Sequence, residues 1–238
     1  MKAIIIAAGQ GSRLLPLTLE TPKCLVPVGG RAILDHQLRA VEQAGIRHAV
    51  VVGGYRVEQI AEHLARHSGA VATELIFNPF WAAGSSIGSV WAARACLTDP
   101  FVLMNGDTVF DADILAAAVS DERRGVKLVV DTLTVPELDD MLVEVANGRV
   151  RAVGKTLDAA RATHRSLGVV ASKGGGAYAD ALRAVIGAAD GIHAFHHAII
   201  DRLAGVDAVA AVTVPRDAHW QEIDRPDDIE RWRREHGA

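Results

Sequence analysis

The residues with the clearest chemistry lie in one segment near the start, Gly9-Gln10-Gly11-Ser12-Arg13-Leu14-Leu15-Pro16-Leu17-Thr18, followed by Thr21-Pro22-Lys23. Gly9 and Gly11 let backbone N–H groups come close to an anion. Arg13, at the loop exit, suits forked recognition of phosphate oxygens, and Lys23 adds a mobile point charge. The spacing excludes two common phosphate loops. The third glycine of the dinucleotide fingerprint is replaced by Leu14, and no Gly-Lys-Ser/Thr follows as in the Walker loop. Taken alone, the segment also reads as a strand-to-loop turn with two solvated cations. Asp107, in Asn105-Gly106-Asp107, reads singly as a turn residue, and Asp224, in Glu222-Ile223-Asp224, as a helix cap. His63 and His67 fall four apart on a predicted helix, and His193, His196 and His197 cluster. No Cys or carboxylate sits at ligand spacing from them, so they read as a solvated face rather than a zinc site.

These residues must be held by alternating strands and helices. Ala3–Ala8 is short and continuously apolar, the pattern of a central parallel strand. Helical spacing follows at Ile33, Leu34, Leu38 and Val41, then a strand at Ala49–Val52, a helix from Val57 and a strand at Val71–Phe77. A helix over Ser86–Cys96, a strand at Pro100–Met104 and a helix at Ile114–Val119 complete the first half. This alternation predicts βαβ units with ligands at the carboxyl ends of the strands, where the glycine loop and Asp107 fall. After Val126 the texture changes. Strands are predicted at Val126–Thr132, Met141–Ala146, Arg149–Val153, Arg165–Ser172 and Ala208–Val214, with helices at Tyr178–Ile186, Phe195–Leu203 and Pro226–Glu235. Asn147-Gly148 is a two-residue hairpin signal. The expected fold is α/β: a Rossmann-like, mostly parallel sheet flanked by helices, with an antiparallel extension in the second half. It is expected as a single domain over 1–238, the change of texture dividing 1–120 from 121–238.

Composition narrows the class. The chain has 238 residues, 50% hydrophobic, which excludes disorder and allows a core without disulfides. Lys+Arg 25 against Asp+Glu 29 gives a net charge of −4, against a protein that neutralises many nucleic-acid phosphates. Two cysteines, no secretory pattern and no membrane-length apolar run point to the cytoplasm.

The run Ala-Ala-Gly-x-Gly-x-Arg-Leu-x-Pro-Leu-Thr, then Pro-Lys-x-Leu-x-Pro-Val-Gly-Gly and Ile-Leu, resembles the nucleotidyltransferase superfamily of sugar-1-phosphate and phosphocholine nucleotidylyltransferases. The match is nearly unbroken from Lys2 to Leu38. Asn105-Gly106-Asp107 and Glu222-Ile223-Asp224 fall where that family places its later motifs, while 125–205 is thin. The resemblance implies attack of a phosphorylated acceptor on the α-phosphate of a nucleoside triphosphate, with pyrophosphate leaving. It implies Arg13 on the β/γ-phosphates, Lys23 between the α-phosphate and the attacking phosphate, and Asp107 and Asp224 as a Mg²⁺-binding pair. Ala7, Ala8, Gly9, Gly11, Ser12, Asn78, Ser85 and Gly106 are then the nucleotide-binding candidates.

The stretch Asn78–Ser89 would lie over the base. Asn78, Trp81, Ser85, Ser86 and Ser89 sit closer to the phosphocholine-type cytidylyltransferase pattern than to the sugar-1-phosphate one, which points to CTP. Ser85 or Ser86 could equally be a helix cap. Lys155 and Asp131 are the acceptor-binding candidates, and Trp81, Tyr178 and Trp220 could frame a quaternary amine. The expected function is Mg²⁺-dependent nucleotidylyl transfer from CTP to a small phosphorylated or phosphonylated acceptor. The alternatives are a sugar-1-phosphate nucleotidylyltransferase using UTP, dTTP or GTP, a non-catalytic nucleotide-binding subunit, and a molybdopterin guanylyltransferase. The Leu14–Thr18 segment and the late Glu-Ile-Asp fit the last less well.

Overall fold

The computed structural model describes residues 1–137 and 139–237. Strand β1 (Lys2–Ala7) is apolar at almost every position because both of its faces are covered. Ile4 and Ile6 enter one hydrophobic cluster, and Ala3, Ile5 and Ala7 enter another. The same alternation runs through β4 (His48–Gly53) and β6 (Phe101–Asn105). Such strands read as continuous hydrophobic runs because helices lie on both sides of the sheet.

Helices α1 (Ile33–Gln43), α2 (Val57–Ala65) and α4 (Ala112–Ser120) cover one face, through residues such as Leu38, Ile60 and Leu115. Helices α3 (Ser86–Ala92), α5 (Ala177–Ile186) and α6 (His197–Ala204) cover the other, through Ile87, Leu182 and Ile200. Strand β5 (Ala72–Phe77) lies at one edge of the sheet. The second half adds β8 (Val126–Thr132), β9 (Leu142–Ala146), β10 (Arg149–Gly154), β11 (His164–Ser172) and β12 (Val209–Thr213).

All of these strands join one nine-stranded sheet, in the order β5-β4-β1-β6-β11-β8-β12-β10-β9. Strands β5, β4, β1 and β6 are parallel, and β11 runs antiparallel to both β6 and β8. The expected parallel half and antiparallel extension are therefore both present. Asn147 and Gly148 make the β9–β10 turn with φ of 54° and 69°, as that dipeptide's chemistry requires.

Two short strand pairs have no counterpart in the sequence reading. Strand β2 (Pro27–Val28) pairs with β3 (Arg31–Ala32), and β7 (Thr108–Phe110) pairs antiparallel with β13 (Trp220–Glu222). Helix α7 (Pro226–His236) follows β13. Its Ile229 and Trp232 close a third cluster with Leu14, Val26, Val28, Ile33, Val109 and Ile223. This cluster ties the phosphate-loop region to the segment that carries Asp224.

Some expectations need correction. The helix expected over Ser86–Cys96 stops at Ala92 and is followed by a separate 3-10 turn, Arg94–Cys96. Helix α6 begins at His197 rather than Phe195, because the His196 N–H turns to donate to Ser86 Oγ at 2.9 Å. Helix α2 ends at Ala65, so His67 does not share it with His63, which instead pairs with Asp35 at 2.7 Å. Tyr178 is a core residue, fully buried edge-on against Phe101 at 5.2 Å, and cannot frame a ligand. No helix of the described residues is long and apolar enough to cross a membrane.

Candidate active site

The loop after β1 is built around Gly11. Its φ of 74° is left-handed, and a Cβ there would come within 2.8 Å of Lys23 Cδ. A glycine is thus needed both for the turn and for the Lys23 stem to lie against it. Thr18, fully buried, donates its hydroxyl to the Gly11 carbonyl at 2.8 Å and fixes the loop from below. Leu14 anchors the short 3-10 turn Ser12–Leu14 in the third cluster, leaving Arg13 free to point elsewhere.

Asp107 is placed by a second tight contact. A Cβ on Gly106 would lie 2.7 Å from Ala7 Cα and from the Ile6 carbonyl oxygen, and the Gly106 N–H donates to that oxygen at 3.0 Å. The turn from β6 to β7 therefore presses directly on the end of β1. Gln37, buried on α1, donates to the carbonyls of Asn105 and Thr108 at 2.6 and 2.9 Å and brackets this turn.

Asp224 reaches Asp107 through the β7–β13 ladder, in which Thr108 faces Glu222 and the Ile223 N–H donates to the Asp107 carbonyl at 2.9 Å. The Asp228 carboxylate accepts from the N–H groups of Asp224 and Arg225 at 2.8 and 2.7 Å, which fixes the turn into α7.

Lys23 sits between the two aspartates. Its ammonium is 2.8 Å from Asp107 Oδ2 and also bonds Asp224 Oδ1. Arg13 Nη2 meets the other Asp224 oxygen at 2.8 Å. Burial opposes the Lys23 charge, but the two carboxylates outweigh it and hold the pKa above the usual lysine value. Burial likewise opposes the Asp224 charge, yet Lys23, Arg13 and Lys155 hold its pKa below the usual carboxylate range. Glu222 goes the other way. Burial, then Asp107 and Asp224, push it up to about 8. The site thus sets a lysine whose charge is favoured and an Asp224 whose ionised form is favoured beside a Glu222 whose protonated form is favoured.

A cavity of about 330 Å³ opens beside this cluster. Of the sequence candidates, Ala8, Gly9, Arg13, Asn78, Ser85, Gly106, Asp107, Lys155 and Asp224 line it. Ala7, Gly11, Ser12 and Lys23 lie outside its lining, Gly11 and Lys23 forming the support beneath. Asn78 has its side chain engaged: Oδ1 accepts from the Phe80 N–H at 3.0 Å and Nδ2 donates to Ser89 Oγ at 3.2 Å, so it builds the turn. Ser85 takes the cap position of α3 without a side-chain cap bond.

Asp131 is placed apart from the cavity. Its carboxylate accepts from Trp220 Nε1 at 3.1 Å and pairs with Arg165 at 3.4 Å, so it orients Trp220, which does line the cavity. Lys155 stands 5.1 Å over the Phe195 ring, an aromatic that the sequence reading passed over.

His196 and His197 correct the expectation of a solvated face. Both are buried, their rings 4.1 Å apart, and both border the cavity. His196 Nε2 meets Asn105 Oδ1 at 3.0 Å, and His197 Nε2 meets Ser166 Oγ at 3.0 Å. Burial lowers the His196 pKa to about 4, and burial with the neighbouring His196 and Lys155 keeps His197 well below its ordinary value. Both are therefore neutral imidazoles at pH 7. Histidine type and spacing carry no sign of burial, which is why sequence alone missed them.

The hard oxygen donors Asp107 and Asp224, both within reach of one ammonium, are of the kind that holds Mg²⁺ with waters and phosphate oxygens completing its shell. Among the described residues no group of three or more His, Cys, Asp or Glu is arranged for a metal, so a dedicated all-protein cage is absent there.

The sequence profile of the MobA-like NTP transferase domain matches residues 3–133, more than half of the chain. The chain belongs to this family. The matched residues hold the glycine loop, Lys23 and Asp107, while Asp224 lies beyond them. The chain is 36% identical over 113 residues to the mannose-1-phosphate guanylyltransferase catalytic subunit beta of Drosophila pseudoobscura pseudoobscura, covering 46% of this chain and 30% of that one. It is 29% identical over 160 residues to the CMP-5'-(3-aminopropyl)phosphonate synthase of Streptomyces rubellomurinus, covering 64% of this chain and 25% of that one. The chain thus spans under a third of the length of these curated relatives. Among solved structures, the CTP:phosphocholine cytidylyltransferase of Streptococcus pneumoniae superposes with a TM-score of 0.77 at 20% identity, covering 97% of this chain and 96% of that one. That likeness shows the fold alone, the α/β fold of the nucleotidyltransferases.

Proposed function

We propose that this protein transfers a nucleotidyl group from a nucleoside triphosphate, with CTP preferred, to a small phosphorylated or phosphonylated acceptor, releasing pyrophosphate. The observation that carries the reading is the Lys23 ammonium held between Asp107 and Asp224 beside a glycine loop and a cavity. An acceptor oxygen would attack the α-phosphorus as the bond to pyrophosphate breaks. Negative charge crowds around one phosphorus, so the work of the protein is positioning and neutralisation. Lys23 would bridge the α-phosphate and the attacking phosphate. Arg13 would take the outer phosphates, Gly9 and Gly106 would admit the nucleotide close to the backbone, and Lys155 would meet the acceptor phosphate. Asp107 and Asp224 would hold Mg²⁺, which when bound neutralises phosphate charge. In this reading 1–120 binds the nucleotide and 121–238 the acceptor, on one continuous sheet.

The short turn Asn78–Ser86 supports a pyrimidine, because its Asn78 is held from both ends and the wall it makes is fixed. The similarity to a CMP-phosphonate synthase supports the same base and a phosphonate-like acceptor. A second reading, a sugar-1-phosphate guanylyltransferase, is favoured by the match to the Drosophila enzyme. Pyrophosphate release measured with all four triphosphates, against a panel of phosphomonoesters, phosphonates and sugar 1-phosphates, separates them. CTP should be the best substrate, by roughly a hundredfold over the purines if two base contacts are lost with the wrong base. GTP as best substrate would replace the first reading by the second, and no release with any pair would sink both.

A further inference from the structure

Three cations converge on Asp139. Its Oδ2 accepts from Arg13 Nη1 at 2.8 Å and from Arg225 Nη2 at 3.2 Å, and its Oδ1 lies 3.7 Å from Lys155 Nζ. They come from distant parts of the chain: the loop after β1, the residue after β10 and the residue before α7. Arg13 has a second partner in Asp224. Among the described residues, Lys155 and Arg225 have no other carboxylate within ion-pair distance. Among the described residues, one carboxylate is therefore the ion-pair partner of two cations that have no other, and it shares a third with Asp224. The side chains are 35% to 57% exposed, and exposed ion pairs of this kind are weak and open to exchange. Asp139 also borders both the main cavity and a smaller one of about 260 Å³ next to it.

We propose that Arg13, Lys155 and Arg225 form a cradle for a tetrahedral phosphate or phosphonate group, and that Asp139 is a built-in competitor that occupies it until the substrate oxyanion displaces it. The inference rests on the nucleotidyl-transfer reading, adds to it Arg225 as a binding residue and Asp139 as a restraint on affinity, and brings Arg13 and Lys155 onto one group where that reading gave them separate phosphates. The chemistry favours exchange. A phosphoryl oxyanion offers three oxygens and up to two charges, enough for one contact from each cation, where Asp139 offers two oxygens and one charge. Such a group belongs either to the outer phosphates of the triphosphate or to the head of the acceptor.

Calorimetric titration of the intact chain, in Mg²⁺, with pyrophosphate and separately with methylphosphonate tests this. Wild type is compared with Asp139→Asn, Asp139→Ser, Asp139→Glu and Arg225→Gln, each checked for an unchanged thermal transition. The neutral variants at 139 should bind one of the probes about threefold to tenfold tighter, since only a weak exposed pair is removed. Asp139→Glu should stay near wild type, and Arg225→Gln should bind the same probe more weakly. Tightening for pyrophosphate assigns the cradle to the triphosphate tail, and tightening for methylphosphonate assigns it to the acceptor head. Wild-type binding that both neutral variants leave unchanged overturns the inference while nucleotidyl transfer stands. Failure of both probes to bind wild type and every variant overturns the inference, while pyrophosphate release from the triphosphates decides the transfer reading separately.

Discussion

Lys23 is shared by two carboxylates, and this sets what its loss should do. Lys23→Ala should lower kcat/KM by about 10²–10³-fold, the usual cost of removing one group that stabilises transition-state charge. It also removes the cation that Asp107 and Asp224 share, leaving Arg13 on Asp224 alone. The variant should therefore gain more thermal stability from added Mg²⁺ than wild type does, read as the Tm shift in paired scans. Equal shifts would show that the two carboxylates do not share an ion. Asp107→Asn and Asp224→Asn should each raise the Mg²⁺ concentration for half-maximal activity. His196 gives a pH prediction. Burial holds its folded-state pKa at about 4, against 6.5 for an ordinary histidine. Between those values the unfolded chain binds a proton that the folded chain refuses. The stabilisation is thus complete above about pH 6.5 and is lost as pH falls toward 4. His196→Gln should flatten this part of the urea-unfolding profile by up to about 1.4 kcal/mol per pH unit. A slope unchanged by the substitution would contradict it.

The elements that place these residues differ in how plainly the sequence announced them. Strand β1 and helices α1 and α7 carry strong patterns: a doubly covered apolar run, a 3.6-residue stripe, and Pro226 with Asp227 and Asp228 in the first turn. The ladder of β7 and β13 carries none, because three residues are too few for a period to show. Yet that ladder joins Asp107 to Asp224, and family resemblance alone paired them beforehand. The neutral histidines and the role of Asp131 behind Trp220 were illegible for a related reason: both depend on burial and on partners remote in sequence. Gly106 shows how tightly the turn is held. Gly106→Ala would drive a methyl into the backbone of Ile6 and Ala7, so either β6 or β1 must shift. The substitution should cost roughly 1–3 kcal/mol of stability, as overpacking does. It should also weaken activity more than that loss explains, because Asp107 moves with the turn. Chemical denaturation and kinetics at saturating Mg²⁺ would separate the two effects.

At the scale of the molecule, the third hydrophobic cluster makes the site depend on a distant helix. Trp232→Ala should destabilise by about 3–5 kcal/mol, the usual range for an aromatic removed from a core. Before global unfolding it should raise the Mg²⁺ requirement, since α7 holds the turn that carries Asp224. A variant that loses stability with an unchanged Mg²⁺ dependence would show that α7 is only a prop. The same connection has a consequence for synthesis. Lys23 and Asp224 are 201 positions apart, and ribosomes add roughly 5–20 residues per second. The glycine loop and its lysine thus leave the ribosome about 10–40 s before their last carboxylate partner. During that interval Asp107 and Asp139 are made first, so Lys23 and Arg13 each gain one carboxylate before Asp224 arrives to join them. The pair of carboxylates around Lys23 is therefore completed last, once β13 has joined β7 and α7 has closed over the third cluster.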